Sequence, residues 1–279
     1  MHFFKSLNLS TKDRKNEIPS SFRVGEVVIN NLNPLGGMFK KGVTKAGRIS
    51  LSGNLNDGTK VKVYESFSSS QINLRKILGD KLEKEDTLFP PILASDENFI
   101  VEKWISGKRL SEIKPNILDK YSERLINFIK EIHYDSSFNE IAKAHRDSFC
   151  YLSDYLMMRL KPWQKWFPVE NLINEWIKSD SETEKIIQTR ISHPDLSLSN
   201  IILCPNENIY IVDNELIGAG KGWLLDERNS FFRDKVLSPK YEDPIKNFYN
   251  LSWKLRLVGS ALDEGDFYRA KRMADLKRI

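Results

Sequence analysis

The chain has 279 residues, a formal net charge of +5 and two cysteines. This length can bury a substantial core in one large domain or in two lobes. No apolar run approaches the ~20 residues of a membrane-spanning helix. The N-terminus lacks the sustained apolar core of a signal peptide, so we expect a cytoplasmic protein. The moderate positive charge favours anionic partners, but no dense basic cluster or standard module predicts nucleic-acid binding.

The first part of the chain is rich in strand patterns. Residues 5–21 are polar, which predicts a loose N-terminal arm over 1–21. Residues 22–66 read as short strands and tight turns, and Asn56-Asp57-Gly58 is a hairpin signal before a strand over 59–64. Residues 70–82 follow as a helix with an apolar face. An apolar strand then begins at Phe99 and becomes abruptly polar before Gly107.

Helical patterns dominate from residue 110 onward. Apolar residues recur at helical spacing over 117–133, and two further helices are predicted over about 146–160 and 169–189. An aromatic segment, residues 161–168, separates the latter two. The C-terminal part is a strongly aromatic helical end that we expect to be mostly core.

One loop and one hairpin occupy residues 193–215. Residues 193–200 are polar, 201–203 are apolar, a turn-rich segment covers 205–208, and 209–212 form a second β-branched strand. Asp195 and Asn200 precede the first strand, and Asp213 follows its antiparallel partner. The hairpin therefore brings these three groups together, and their oxygens suit a divalent metal ion.

The same residues carry a family resemblance. The pattern His-x-Asp-x-x-x-x-Asn, followed by a hairpin and an Asp, resembles the catalytic and metal loops of protein kinases. It is more similar to the aminoglycoside phosphotransferase and choline kinase group, although Pro194 stands where that group has Gly. The resemblance implies that Asp195 is the catalytic base and that Asn200 and Asp213 bind the Mg²⁺ held by ATP. It also implies that His193 and Asp226 are structural supports of the loop.

The resemblance implies an α+β, bilobal protein-kinase-like fold. The small antiparallel, β-rich N-lobe would cover residues 22–102, after the arm at 1–21. The larger, mostly α-helical C-lobe would cover residues 103–279. ATP would bind in the cleft between the lobes.

Nucleotide-binding residues follow from the same resemblance. Lys62, in Val-Lys-Val-Tyr, resembles the strand lysine that holds the α- and β-phosphates, and Lys60 on the same face is the alternative. A glycine turn would cover the phosphates, for which Gly36-Gly37 is the first candidate and Ala46-Gly47 the second. The helix over 70–82 departs from the family, because it lacks the Glu that pairs with the lysine. Either Glu83 or Glu85 serves, or the pair is absent.

The apolar strand from Phe99 resembles the inter-lobe hinge of this group. The adenine edge would bond to backbone groups around Glu102 to Trp104, which requires no particular side chain. An ordinary buried strand with a capping turn is the alternative.

The acceptor site is the least specified part. The helical region before the catalytic loop resembles the one that shapes the acceptor site in small-molecule members. Its linking segment carries cations and aromatics but no acid: Lys161, Trp163, Lys165, Trp166 and Phe167. Aromatic faces stack on sugar rings and lysines suit anions, so we expect a neutral or anionic sugar-like acceptor rather than a polycation, with presentation at a membrane surface as one option. The alternative is that the aromatics are core and the lysines a solvated rim.

The sequence therefore predicts an enzyme that transfers the γ-phosphoryl group of ATP to a hydroxyl of a small molecule. A nucleotide-binding pseudokinase or scaffold is the alternative from another class, but the base and both metal ligands are present. A protein kinase is the further alternative, although nothing after Asp213 resembles its Ala-Pro-Glu segment.

Overall fold

The computed structural model describes residues 19–35, 49–82, 88–148, 152–193, 196–221 and 243–276. The chain divides into two compact units. One comprises residues 1–112 with 201–215, and the other comprises residues 113–200 with 216–279. The hairpin over 201–215 thus belongs to the unit that the N-terminal part of the chain forms.

A six-stranded antiparallel sheet dominates the first unit, with strand order β1-β2-β3-β4-β6-β5. Its strands are β1 (Ser21–Val24), β2 (Val27–Pro34), β3 (Ser50–Asn54), β4 (Lys60–Glu65), β5 (Ile92–Ser95) and β6 (Phe99–Lys103). The predicted hairpin turn at Asn56-Asp57-Gly58 joins β3 to β4, and Gly58 has φ +85°, a conformation that glycine adopts without a steric penalty.

The two faces of this sheet have different partners because side chains alternate along a strand. Val61 and Val63 of β4 point to one face, where they join a fully apolar cluster with residues of β1, β2, β3 and β6. Tyr64 points to the other face and packs with Ile100 and with Ile72 of helix α1 (Ser69–Leu82). Lys62 lies on this second face, because it alternates with Val61 and Val63.

A second, three-stranded sheet completes the first unit, with order β10-β9-β7. Its strands are β7 (Lys108–Arg109), β9 (Ile201–Leu203) and β10 (Ile209–Ile211). The β9–β10 hairpin confirms the predicted strands, and the backbone N–H of Ile211 donates to the carbonyl of Leu88 at 2.6 Å. Residues far apart in the sequence therefore hold the hairpin in this unit.

Helices form most of the second unit. They are α2 (Pro115–Tyr134), α3 (Ser136–Ala144), α4 (Leu152–Leu160), α5 (Glu170–Thr183), α6 (Asp243–Asp263) and α7 (Phe267–Asp275), with a two-stranded sheet of β8 (Arg190–Ser192) and β11 (Gly218–Gly220). The core forms around α6, whose Phe248 and Trp253 are almost fully buried. The prediction that the aromatic C-terminal part is core is confirmed for α6, whereas Phe267 and Tyr268 of α7 are exposed. Within the described ranges, no helix combines the length and the apolarity that crossing a bilayer requires.

Two helix predictions in this unit were wrong in detail. The predicted helix over about 146–160 begins only at Leu152, and α3 precedes it. Asp135 separates α2 from α3, because its backbone is extended and its side chain accepts from the N–H of Ser137 as the cap of α3. The predicted helix over 169–189 ends at Thr183, because the chain must turn there before β8 pairs with β11.

Candidate active site

The end of the β9–β10 hairpin carries the predicted metal-binding carboxylate. Ile201 pairs with Ile211, so the start of β9 and the end of β10 lie side by side. Asn200 immediately precedes β9, and Asp213 follows β10 by one intervening residue. The hairpin register is therefore the one that the sequence predicted.

The backbone at Asp213 is in the left-handed region, with φ +62°. Few residues other than glycine occupy this region, although Asp tolerates it better than most. The neighbouring Asn214 is fully buried, and its Nδ2 donates to the carbonyl of Ile211 at 2.8 Å. This bond closes the turn after β10 and presents the Asp213 side chain, which is 55% exposed.

Lys62 lies against this turn. Its Nζ is 2.7 Å from an oxygen of Asp213 and 2.7 Å from Oε2 of Glu215. Burial by itself would lower the pKa of Lys62, but the charges of Asp213 and Glu215 and the hydrogen bonds to both raise this pKa above its ordinary value. Lys62 is therefore a fixed cation beside two carboxylates.

Lys60, the alternative to Lys62, has different surroundings. Its Nζ lies 4.1 Å from the ring centroid of Trp104, a cation–π contact at the exposed end of β4. Of the two lysines, Lys62 is the one that contacts the hairpin carboxylates. The ring of Trp104, which the sequence associates with the nucleotide, thus contacts the Lys60 ammonium group.

Helix α1 reaches this cluster through Gln71, which sequence reasoning did not identify. Gln71 is 1% exposed, and its Nε2 donates to the backbone carbonyl of Glu215 at 3.1 Å. Its Oε1 accepts from Ser66 Oγ at 2.6 Å and from the N–H of Phe67 at 2.9 Å. A polar residue within the apolar face of a helix is the signal that identifies such a position from sequence.

Glu102 participates in a buried ion pair on the same face of the sheet. Arg75 of α1 lies 2.5 Å from Oε1 of Glu102, and the Tyr64 hydroxyl donates to the same oxygen at 3.0 Å. Burial and the Glu102 charge raise the pKa of Tyr64 well above its ordinary value, against the opposing charge of Arg75. Burial acts to lower the pKa of Arg75, but the charges of Glu102 and Tyr64 and the hydrogen bonds to both residues together raise this pKa above its ordinary value. The Glu102 side chain thus joins β6 to α1 through its ion pair with Arg75.

The segment predicted as the hinge, residues 99–107 (the hinge segment below), has some of its backbone N–H groups in hydrogen bonds. The N–H of Lys103 donates to Pro91 and that of Trp104 to Lys60, each at 2.9 Å. Gly107 then passes so close to β9 that a Cβ built there would lie 2.1 Å from the carbonyl oxygen of Leu203. The hinge segment therefore leaves the large sheet and immediately packs against the hairpin.

Several predicted site residues lie outside the described part of the chain: Gly36, Gly37, Asp195 and Asp226, together with the Ala46-Gly47 alternative and the two acids Glu83 and Glu85. His193 is fully buried immediately after β8, consistent with a supporting position. Asn200 is half-buried and ends a short 3-10 turn, in which its N–H donates to the carbonyl of Ser197 at 2.9 Å.

The candidate acceptor residues divide into core and surface. Trp163 packs edge-on against Phe267 with centroids 5.9 Å apart, and its Nε1 donates to Asp263 at 3.3 Å. Phe167 is buried in the core of the second unit. Three residues are exposed: Lys161, Lys165 and Trp166, the last at 74%.

The donor set suits a hard divalent cation. Asp213 and Glu215 each place a carboxylate oxygen 2.7 Å from Lys62 Nζ, and Asp213 is the more exposed of the two acids. Mg²⁺ is commonly held by one or two carboxylates together with the phosphates of a nucleotide. Within the described residues, no group of three or more His, Cys, Asp or Glu side chains forms a metal site by itself. These residues therefore fit a metal that arrives with a phosphate ligand.

Several solved structures of phosphotransferases and of a kinase align with this chain. The GDP and kanamycin complex of an APH(2")-type aminoglycoside phosphotransferase aligns with a TM-score of 0.53 and 12% identity, over 97% of this chain and 96% of the other. An ethanolamine kinase of Plasmodium vivax aligns with a TM-score of 0.51 and 13% identity, over 87% and 79%. The apo form of a thermostable mutant of aminoglycoside phosphotransferase APH(4)-Ia aligns with a TM-score of 0.50 and 12% identity, over 88% and 92%.

The chain has the protein-kinase-like fold of these enzymes. The predicted fold class is thereby confirmed. The sequence matches no protein-family model and has no significant match among curated proteins. The similarity is therefore one of fold, at identities too low to carry residue roles from one protein to another.

Proposed function

We propose that this protein is an ATP-dependent phosphotransferase that transfers the γ-phosphoryl group to a hydroxyl of a small molecule. The observation that carries the proposal is the contact of Lys62 with Asp213 and Glu215 at the end of the β9–β10 hairpin. In this fold, a strand lysine next to a hairpin carboxylate is the arrangement that binds nucleotide phosphates and their metal. The other proteins with this fold include enzymes named as phosphotransferases and a kinase.

The proposed roles follow from charge and position. Lys62 binds the α- and β-phosphates, because it is a partly buried cation beside the metal-binding turn. The adenine edge bonds to the hinge segment around Glu102 to Trp104, and Gly36-Gly37 covers the phosphates. Asp195 accepts the proton of the acceptor hydroxyl as that oxygen attacks the γ-phosphorus. His193 and Asp226 support the loop that carries Asp195.

Asn200 and Asp213 are the proposed ligands of Mg²⁺. The metal, when bound, neutralises charge on the phosphate oxygens. Asp213 is suited to this role, because its turn is held by Asn214 while its carboxylate is more than half exposed. Its bond to Lys62 must be exchanged for metal and phosphate ligands when the nucleotide binds.

The roles of the two aspartates are separable by experiment. Asp213→Ala should abolish Mg²⁺-dependent ATP binding, because the metal loses a carboxylate ligand. Asp195→Asn should leave ATP binding nearly intact while turnover falls by orders of magnitude, because the base acts on the acceptor. Isothermal titration of MgATP into each variant measures the first effect and a phosphate-transfer assay the second.

Equal loss of binding in both variants would refute this division of roles. MgATP binding by the wild-type protein without transfer to any hydroxyl would favour the alternative of a pseudokinase or scaffold. Transfer to protein serine or threonine alone would favour a protein kinase.

We further propose that the acceptor is a neutral or anionic sugar-like molecule. Lys161, Lys165 and Trp166 are exposed together in one short segment, which offers two cations and an aromatic face to a ligand. Trp163 supports this segment from within, because the N–H of Trp166 donates to its carbonyl at 2.9 Å. The nearby acid Asp263 is bound to Arg159 at 2.8 Å and does not supply an uncompensated charge for a polycation.

An assay over several acceptor classes tests this assignment. Phosphate transfer to acidic sugars and to glycolipids in vesicles should exceed transfer to kanamycin-like polycations. Trp166→Ala should raise the acceptor KM without changing the affinity for ATP, because stacking on a sugar ring is lost. Activity confined to glycolipids would place the acceptor at a membrane surface, and efficient turnover of the polycation alone would show the proposal wrong.

A further inference from the structure

The two acids that contact Lys62 are unequally exposed. The side chain of Asp213 is 55% exposed, whereas that of Glu215 is 21% exposed and that of Lys62 is 12% exposed. A ligand that arrives from solvent therefore competes first for Asp213. If Asp213 turns to a metal and nucleotide, Glu215 is the acid that still holds the lysine.

Helix α1 does not supply this acid within the part that the structure describes. Gln71 of α1 contacts Glu215 and Arg75 of α1 contacts Glu102, and the two residues lie on one face of the helix because they are four positions apart. Arg75 is itself a buried cation, and Glu102 of β6 neutralises it at 2.5 Å. The one acid of α1 is Asp80, which is exposed more than two turns further on.

Two buried cations therefore lie on one face of the sheet, each with its own acid. A buried charge requires a close counter-charge, because desolvation is otherwise not offset. Glu102 accepts hydrogen bonds from Arg75 and from the Tyr64 hydroxyl, so it is the counter-charge of Arg75. Glu215 is then the less exposed of the two acids that neutralise Lys62.

We propose that Glu215 is the positioning residue of Lys62 and that Gln71 fixes Glu215 in place. The inference rests on the proposed nucleotide-binding function and assigns a role that the sequence left open between Glu83, Glu85 and no partner. Gln71 holds the backbone carbonyl of Glu215 at 3.1 Å, and Ser66 and the backbone of Phe67 hold Gln71. Helix α1 thus orients the lysine through a neutral amide and a second acid instead of through a carboxylate of its own.

The test separates positioning of the lysine from metal binding. ADP affinity is measured by isothermal titration with Mg²⁺ and again with EDTA, for the wild-type protein and for Glu215→Gln. A residue that orients Lys62 affects phosphate binding in both conditions, whereas a metal ligand matters only when the metal is present. Loss of one charge-assisted hydrogen bond should weaken ADP binding about 10-fold in both titrations.

Four variants make the result specific. Glu215→Asp, which keeps the charge on a shorter side chain, should recover part of the lost affinity. Asp80→Asn, Glu83→Gln and Glu85→Gln should bind ADP like the wild-type protein. The melting temperature without nucleotide should be close to the wild-type value for Glu215→Gln, so that the affinity loss is not caused by unfolding.

Three results would overturn the proposal. A loss in Glu215→Gln that vanishes in EDTA would make Glu215 a metal ligand. An unchanged affinity of Glu215→Gln, or a comparable loss in Glu83→Gln or Glu85→Gln, would place the orienting acid elsewhere. If the wild-type protein binds no nucleotide in either condition, the proposed phosphotransferase function fails as well, which distinguishes that outcome from the other two.

Discussion

Arg75 and Glu102 are almost completely removed from water, at 1% and 2% exposure. A buried ion pair contributes little net stability compared with apolar residues of the same size, but losing one partner is costly because the other charge is left uncompensated. Here the pair joins α1 to β6, and Phe89 covers the guanidinium with its ring centroid 4.8 Å away. The pair therefore determines where α1 lies on the sheet.

Arg75→Met should destabilise the protein by about 3–5 kcal/mol, because Glu102 then remains as an unpaired buried carboxylate. The double variant Arg75→Met with Glu102→Gln should lose less than the single variant, since Gln still accepts from the Tyr64 hydroxyl. Urea denaturation of the single and double variants measures both values. Lys143→Met, which removes an exposed ion pair with Glu140, is the control and should change little. A loss for Arg75→Met as small as that of the control would contradict the prediction.

At the scale of elements, the hinge segment and the β9 strand approach at Gly107. A Cβ at this position would lie 2.1 Å from the Leu203 carbonyl oxygen and 2.8 Å from Cγ2 of Ile202. Both the backbone oxygen and the paired strand resist displacement, because β7 and β9 are hydrogen-bonded directly after the glycine. An added Cβ would therefore meet backbone that is held in a sheet, which cannot move aside as a flexible side chain could.

Gly107→Ala should therefore destabilise the protein by about 1–3 kcal/mol, the usual range for overpacking. Gly79→Ala is the matched control, because Gly79 lies in α1 and a Cβ there would meet only Cδ1 of Ile92 at 3.9 Å. That variant should be neutral or stabilised by about 0.5–1 kcal/mol, since alanine favours a helix. The melting temperature of Gly107→Ala should fall, whereas that of Gly79→Ala should stay unchanged or rise. Equal shifts of the melting temperature in the two variants would show that the close approach of Gly107 to Leu203 does not cause the loss of stability.

At the scale of the whole molecule, the first unit is not contiguous in the sequence. Its residues 1–112 group with residues 201–215, which supply β9, β10 and both acids that bind Lys62. Without the hairpin, β7 loses its strand partner and the carbonyl of Leu88 loses the N–H of Ile211. The N-terminal segment by itself is therefore an incomplete folding unit.

A fragment of residues 1–112 should not unfold cooperatively, because the apolar surface that covers β9 is exposed to water. Joining residue 112 to residue 201 through a short Gly/Ser linker should restore a cooperative transition, since the segment 110–112 lies beside β9. Circular dichroism during thermal unfolding distinguishes the fragment from the linked protein. Equal cooperativity in both would show that the hairpin is dispensable for this unit.

Much of the local structure follows from the sequence alone. Alternation in Val61-Lys62-Val63-Tyr64, the turn at Asn56-Asp57-Gly58 and the apolar face of α1 each depend on residues within a few positions of one another. The same is true of the β9–β10 hairpin and the position of Asp213 at its end. These features are predictable because pleating, turn geometry and helical periodicity are local.

Only the tertiary structure decides which charges meet. Lys62 contacts Asp213 across 151 positions of the sequence, and Arg75 contacts Glu102 across 27. No local pattern predicts that Lys62 contacts Glu215, or that Trp163 is half-buried while Trp166 is exposed. The pairing of β8 with β11, which ends α5 early, is likewise non-local. Such contacts depend on how elements that are distant in the sequence pack against each other. The free energy of that packing depends on many residues at once, so no short segment of the chain predicts it.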